Sequence, residues 1–280
     1  MISSRDNNNY IGNISLCYFI HYSTTDILPY NVKLYINELS RHFDKVKVLC
    51  NNEKILVKNY SLKTNIEIIH NPNRGYDFGM FYRNFYDIDP DKYAQIAVIN
   101  DSNILFNKLD PVFEWAKEDD ADFWGIIDSH EKPWFSMHPE NYHLQSHFLV
   151  FNKNAIQKLP SFLNQLDIDK IFNEKDKKRL RRHVINDWEI GVSQFLIAQD
   201  LKPAAFVGSR AMEVQLNTKA KNLTNSMYHE LAGNGYPLLK KKVITGKKKW
   251  YQPKDRKWKN TIREYGHEDW VIEKIICEFE

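Results

Sequence analysis

The chain has 280 residues, 42% of them apolar and 14% aromatic, which is enough for one large α/β domain or two small ones. Its formal net charge is +3, and its three cysteines, Cys17, Cys50 and Cys277, are too few and too far apart for a disulfide framework or a zinc site. No run of about 18 apolar residues is present to cross a membrane, and the opening MISSRDNNNY lacks the apolar stretch of a signal peptide, so a bacterial-type cytosolic location is expected.

Residues 1–13 are polar and Asn-rich, an expected loose end. Ile14–His21, ISLCYFIH, is a continuous apolar run of the kind that makes a parallel strand buried on both faces. A helix over 27–43 follows, with Pro29 near its start and apolar residues at Ile27, Leu28, Leu34, Ile36, Leu39 and Phe43. Residues 46–50 and Ile66–His70 read as the second and third strands, and 75–86 as a helix. The next apolar run, 96–99, breaks at Asn100-Asp101-Ser102-Asn103 and resumes at Ile104. A short helix over 111–118 is expected, N-capped by Asp110. Residues 123–127 and 148–151 are strand-like, 155–166 helical, and 168–182 a single strongly charged helix. An apolar helix over 188–198 has Asp187 as its expected N-cap, and 204–207 makes a last short strand. The remainder is helical and basic, ending in an amphipathic segment over 270–279.

Strands alternating with helices through the first 130 residues predict βαβ units and a parallel sheet. No Gly-x-Gly-x-x-Gly follows the first strand and no Walker loop occurs, so the dinucleotide and P-loop fingerprints are missing. Cys17 and Cys50 fall in apolar strand-like runs and are expected to be buried thiols. Residues 240–259 carry ten Lys/Arg against Asp255 alone, which leaves the rest of the chain net negative. With Trp250, Tyr251 and Trp258 interleaved, this stretch is either a solvated tail or a patch for anionic lipid headgroups or a pyrophosphate.

Four constellations could carry chemistry. The oxygen side chains of residues 100–103 suit a hard cation such as Mg²⁺ or Mn²⁺, and ligands of open α/β sheets bind at the carboxyl ends of strands. The same four residues also read as an ordinary turn. Residues 73–79, NRGYDFG, follow a strand and open a helix, so backbone amides and Arg74 favour an anion. Asp77 either accepts from a ribose or sugar hydroxyl or complements the helix dipole, and Arg83, two turns on, faces the same cleft or solvent. Residues 143–147, HLQSH, lead into a buried strand and suggest the edge of a site, with Gln145 at its centre. Asp187 and Glu189 flank Trp188; carboxylates bind sugar hydroxyls, aromatic faces stack on sugars, and either acid could deprotonate an acceptor hydroxyl.

In order and spacing, NRGYDFGMFY (73–82), VINDSNILF (98–106), DFWGI (122–126), HLQSHFLVFNK (143–153), DWEIGVSQFL (187–196) and GYPLLKKKVI (235–244) resemble the rhamnan synthesis protein F family of bacterial polysaccharide glycosyltransferases. The resemblance spans about residues 14–245. It implies a GT-A-like α/β fold with a Rossmann-type, mostly parallel central sheet flanked by helices over residues 1–245. Residues 246–280 are then a basic, aromatic-rich helical extension packed on or tethered to that domain. It further implies a hexosyltransferase that draws on a UDP- or dTDP-sugar, uses Mn²⁺ or Mg²⁺, and serves a glycan or lipid-linked glycan acceptor of capsule, O-antigen or cell wall. GT-A enzymes carry an Asp-x-Asp at a central strand end, and here Asp101-Ser102-Asn103 stands in that place with Asn for the second Asp.

By that likeness Asp101, Asn103 and His229 are the expected metal ligands. Arg74, Asp77, Arg83, Gln145 and Lys240 hold the nucleotide, phosphates or sugar, and Asp187 and Glu189 are the catalytic acids. Peripheral contact with the inner face of the plasma membrane through the basic C-terminus is a further expectation, and no nucleic acid partner is expected. The alternative is a non-catalytic nucleotide-sugar or carbohydrate-binding module of the same fold, which Asn103 favours.

Overall fold

The computed structural model describes residues 14–55, 60–218, 222–246 and 257–280. Ten strands are described: β1 (Ile14–His21), β2 (Lys45–Cys50), β3 (Ile66–His70), β4 (Tyr93–Asn100), β5 (Asn103–Leu105), β6 (Phe123–Ser129), β7 (His143–Leu144), β8 (Phe148–Asn152), β9 (Pro203–Val207) and β10 (Leu238–Lys240). Helices in the first half are α1 (Tyr30–Leu39), α2 (Tyr76–Phe85), α3 (Asp110–Glu118) and α4 (Lys153–Leu163). Then come α5 (Ile168–Asn173), α6 (Lys177–His183), α7 (Gly191–Ile197), α8 (Ser209–Gln215), α9 (Leu223–Ser226), α10 (Tyr228–Gly233), α11 (Lys241–Thr245), α12 (Lys257–Tyr265) and α13 (Ile272–Cys277).

The expected α/β architecture is present. An eight-stranded sheet runs β3-β2-β1-β4-β8-β6-β7, with β9 beside β6. Strands β3, β2, β1 and β4 are mutually parallel; β8 is antiparallel to both β4 and β6, and β9 is parallel to β6. Alternate residues of β1 serve opposite faces: Cys17 and Phe19 pack with Val32, Tyr35 and Ile36 of α1, while Leu16, Tyr18 and Ile20 pack on the side of Phe78, Phe81 and Trp188. Burial on both faces is why these strands read as unbroken apolar runs. Cys17 and Cys50 are buried thiols, as expected.

Three expectations give way to local chemistry. The charged helix over 168–182 is two helices. Asp176 turns its carboxylate onto the amides of Lys178 and Arg179 at 2.8 and 2.9 Å, which starts α6 afresh. Asp187 caps nothing, because the chain continues from α6 into α7 through a π-helical turn, Val184–Ile190. Asp110 is the first residue of α3 rather than its cap, and Arg41 holds its carboxylate at 3.0 Å.

The C-terminal helices form a third apolar cluster in which Trp258, Ile262 and Ile276 bury against Phe106, Tyr228 and Leu239. Glu278 accepts from the backbone amides of Tyr30 and Asn31, at the start of α1. Trp258, which the sequence left between a solvated tail and a patch for anionic lipid or pyrophosphate, is 5% exposed. Trp250 and Tyr251 lie outside the described residues, as does the expected loose end at 1–13. No helix among the described residues is long and apolar enough to cross a membrane.

Candidate functional site

A cleft of about 1100 Å³ opens at the carboxyl ends of β1 and β4, where an open α/β sheet places its ligands. Its floor is the 100–103 turn. The Asp101 amide donates to the Ile20 carbonyl at 3.0 Å, and the Asn100 amide to the His147 carbonyl at 3.2 Å, so the turn is sewn to both neighbouring strands. Asn100 Oδ1 accepts from the Ser102 hydroxyl at 2.5 Å, and its Nδ2 donates to Asp77 Oδ2 at 2.7 Å. Asp77 thus joins the turn to the first residues of α2. Burial pushes its carboxyl up, against the opposing hydrogen bonds from Phe78 and Asn100.

Asp101 sits between two donors. His21, the last residue of β1, donates from Nδ1 at 2.7 Å, and Lys241 Nζ lies 3.0 Å away on the same oxygen, Oδ2. Burial would raise this carboxyl; the His21 hydrogen bond and the Lys241 charge outweigh it and hold the carboxyl below its ordinary value.

The cleft lining includes a second acid, on the helical segment that follows α6. Glu189, on the π-helical turn, accepts from the Ser146 hydroxyl at 3.0 Å and faces His143 Nε2 at 3.8 Å. Insertion of one residue into a helix re-aims the side chains around it, and such turns recur at functional sites. Trp188 beside it is 1% exposed and packs on Phe78 and Phe81, so it anchors the turn and offers no face to a sugar.

Lys240 donates to Gln145 Oε1 at 2.9 Å, and burial brings its ammonium down to about 8. His147 Nε2 is hydrogen-bonded with the Tyr236 hydroxyl at 2.9 Å, and burial lowers its pKa to about 3. Lys177, Arg181 and Lys242 also line the cleft. Its rim includes Pro133 and Phe135, and between them Trp134 is 80% exposed, with the Arg182 guanidinium 4.7 Å from its ring.

Of the residues singled out in the sequence, Asp77, Asp101, Gln145, Glu189 and Lys240 line this cleft together. The other five do not line it. Arg74 donates to the Phe172 carbonyl and to Asn173, locking α2 onto α5. Arg83 ties down the preceding loop through Asn71 Oδ1 and the carbonyls of Pro72 and Arg74. Asp187 accepts from its neighbour Asn186. His229 is bonded to Thr261 at 3.0 Å and packs edge-on against Tyr265 in the C-terminal cluster. Asn103 is 2% exposed, with Nδ2 on Ser102 Oγ at 3.1 Å and Oδ1 buried without a partner.

The expected set of Asp101, Asn103 and His229 is therefore not assembled, and the cleft fits a divalent ion poorly. Asp101 is the single carboxylate on the turn, and its Oδ2 already serves an imidazole and an ammonium. Elsewhere, among the described residues, Glu38, His42 and Asp110 bring metal-ligating atoms within 4.8 Å of one another. Arg41 already spans Glu38 and Asp110 there, and none of the three lines the cleft. Burial opposes ionisation of Glu38, but His42, the Leu109 amide and Arg41 outweigh it and hold the carboxyl down at about 2.

His21 and Lys241 escaped the sequence reading. His21 ends a parallel strand, and the strand-end rule that singled out Asp101 would have found it. Lys241 was hidden in a run of like residues, where sequence gives no sign of which lysine turns inward.

A family model for rhamnan synthesis protein F matches residues 46–259. No curated protein matches the chain. Among solved structures, the glycosyltransferase GlyE of Streptococcus pneumoniae is similar at 14% identity and a TM-score of 0.41, over 95% of this chain and 64% of that one. A 4-diphosphocytidyl-2C-methyl-D-erythritol synthase of Anaerococcus prevotii is similar at 12% identity and a TM-score of 0.43, over 70% of this chain and 87% of the other. A protein of Bacillus anthracis, provisionally assigned as a glucose-1-phosphate thymidylyltransferase, is similar at 8% identity and a TM-score of 0.41, over 69% and 87%.

Proposed function

The chain belongs to the rhamnan synthesis protein F family, and from that membership we propose that it is a hexosyltransferase moving a sugar from a nucleoside-diphosphate sugar onto a growing bacterial surface polysaccharide. One observation carries the reading: a single cleft at the strand ends gathers lysine and arginine side chains together with a carboxylate held by Ser146. Lys240, Lys242, Lys177 and Arg181 suit the diphosphate, whose charge grows as it leaves. Asp77 and Gln145 suit hydroxyls of the ribose or sugar. Glu189 suits the acceptor side: as the bond from the anomeric carbon to the phosphate oxygen breaks, the acceptor oxygen bonds to that carbon and its proton passes to the carboxylate. The exposed ring of Trp134, between the cleft-lining Pro133 and Phe135 in sequence, supports an acceptor platform, since sugar C–H faces stack on exposed aromatic rings.

The test is a thermal-shift screen against UDP-, dTDP-, GDP- and CDP-linked sugars, with Mn²⁺ and with chelator. A ligand at 100 times its Kd adds about 2.7 kcal/mol to the native state, so a fitting nucleotide raises the transition clearly. Donor-dependent transfer to a glycan supports the reading. Nucleotide binding with neither transfer nor donor hydrolysis would support the non-catalytic binding module instead.

A further inference from the structure

The basic segment 240–242 is stapled to the 100–103 turn. Lys240 lies opposite Asn103 in the antiparallel β10–β5 ladder, and the Lys241 amide donates to the Ser102 carbonyl at 2.9 Å. Successive side chains then diverge. Lys240 and Lys242 line the cleft, while Lys241 turns to Asp101 Oδ2 at 3.0 Å. The Lys241 and Asp101 side chains are 24% and 16% exposed, so their attraction is far less screened than that of a surface pair. A divalent ion on Asp101 would have to displace this ammonium or sit beside it as a like charge. The neighbouring Asn103 adds no second negative charge to favour the exchange.

We infer that Lys241 takes the place of a divalent ion on Asp101, and that Lys240 and Lys242 neutralise the diphosphate, so that donor binding needs no metal. This rests on the glycosyltransferase reading above. The chemistry balances without an added ion. The anomeric carbon–oxygen bond breaks with its electron pair going to the diphosphate, the acceptor oxygen takes its place, and the acceptor proton goes to Glu189. The extra negative charge on the leaving group is met by ammonium groups fixed to the turn that forms the floor.

Calorimetric titration of the full chain with UDP, dTDP, GDP and CDP, first in EDTA and then in Mn²⁺, tests this directly. The expected result is one nucleotide whose Kd changes by less than about tenfold between the two conditions. Lys241→Met should weaken binding in EDTA by about tenfold or more, and Mn²⁺ should recover part of the loss because Asp101 is vacated. Adding Asp101→Asn should abolish that recovery. Wild-type binding that improves by tenfold or more with Mn²⁺ overturns the inference and leaves the glycosyltransferase reading standing. Failure of all four nucleotides in both conditions overturns both. If Lys241→Met does not fold, the wild-type comparison decides by itself.

Discussion

At the scale of single residues, position relative to the π-helical turn separates two acids that the sequence left equivalent. Glu189 lines the cleft beside Ser146, and Asp187 is engaged with Asn186. Glu189→Gln should lower kcat by about 10²–10⁴ with donor affinity retained, while Asp187→Asn should leave both within about twofold; steady-state kinetics with whichever donor the thermal-shift screen selects would check this. Lys240 gives a pH signature. Its pKa is lowered to about 8, so it loses its charge as pH rises through that value, and diphosphate affinity should fall above pH 8. A bound diphosphate favours the charged form, so binding there should take up a proton, measurable by calorimetry in buffers of different ionisation enthalpy. Stability should respond at the acid end. His147, neutral down to about 3, binds its proton in the unfolded chain first, so stability falls as pH drops from 6.5 toward 3. Glu38, depressed to about 2, contributes fully above 4.5 and loses that contribution as pH falls toward 2. Denaturant midpoints between pH 7 and 3 should decline accordingly, and Glu38→Gln should flatten the lower part of that decline.

Among the elements, the start of α2 is the tightest joint near the cleft. Gly75 sits at a φ of +80°, and a Cβ at Gly79 would strike the Arg74 carbonyl and stand 2.8 Å from Phe172 of α5. Gly79→Ala, which helix propensity alone would favour, should therefore destabilise the protein by about 1–3 kcal/mol, read as a lower urea midpoint with an unchanged slope. The same joint shows what sequence could reveal. Apolar runs marked β1 and β3 to the residue and the second half of β4, and in β1 and β4 this is because strands buried on both faces leave little choice of residue. The oxygen-rich break after β4 marked the floor of the cleft. Arg74 and Arg83 were read as anion ligands because an arginine, whether before a helix or in its last turn, looks the same in sequence when it meets phosphate as when it meets carbonyls; the carbonyls of Phe172 and Pro72 come from packing that no local pattern announces. The two-residue β7 and three-residue β10 carry too little periodicity to register, yet β10 brings the lysines to the turn.

For the whole molecule, the C-terminal helices are part of the packed structure. Truncation after Gly246 would strip Phe106 and Leu239 of Trp258, Ile262 and Ile276, side chains whose full burial is each worth about 1.5–3 kcal/mol. It would also remove Glu278 from the start of α1. The shortened chain should show faster proteolysis and a lower thermal midpoint, not merely weaker vesicle binding. Finally, the pair that closes the floor of the cleft, Asp101 and Lys241, is separated by 140 residues of chain. At roughly 5–20 residues per second of synthesis, the acidic half of the site is out for roughly 7–28 s before its cation is made. A ribosome-bound chain at that stage carries Asp101 without the lysines of β10 and α11, so the onset of ligand binding on arrested chains of increasing length would time the completion of the cleft.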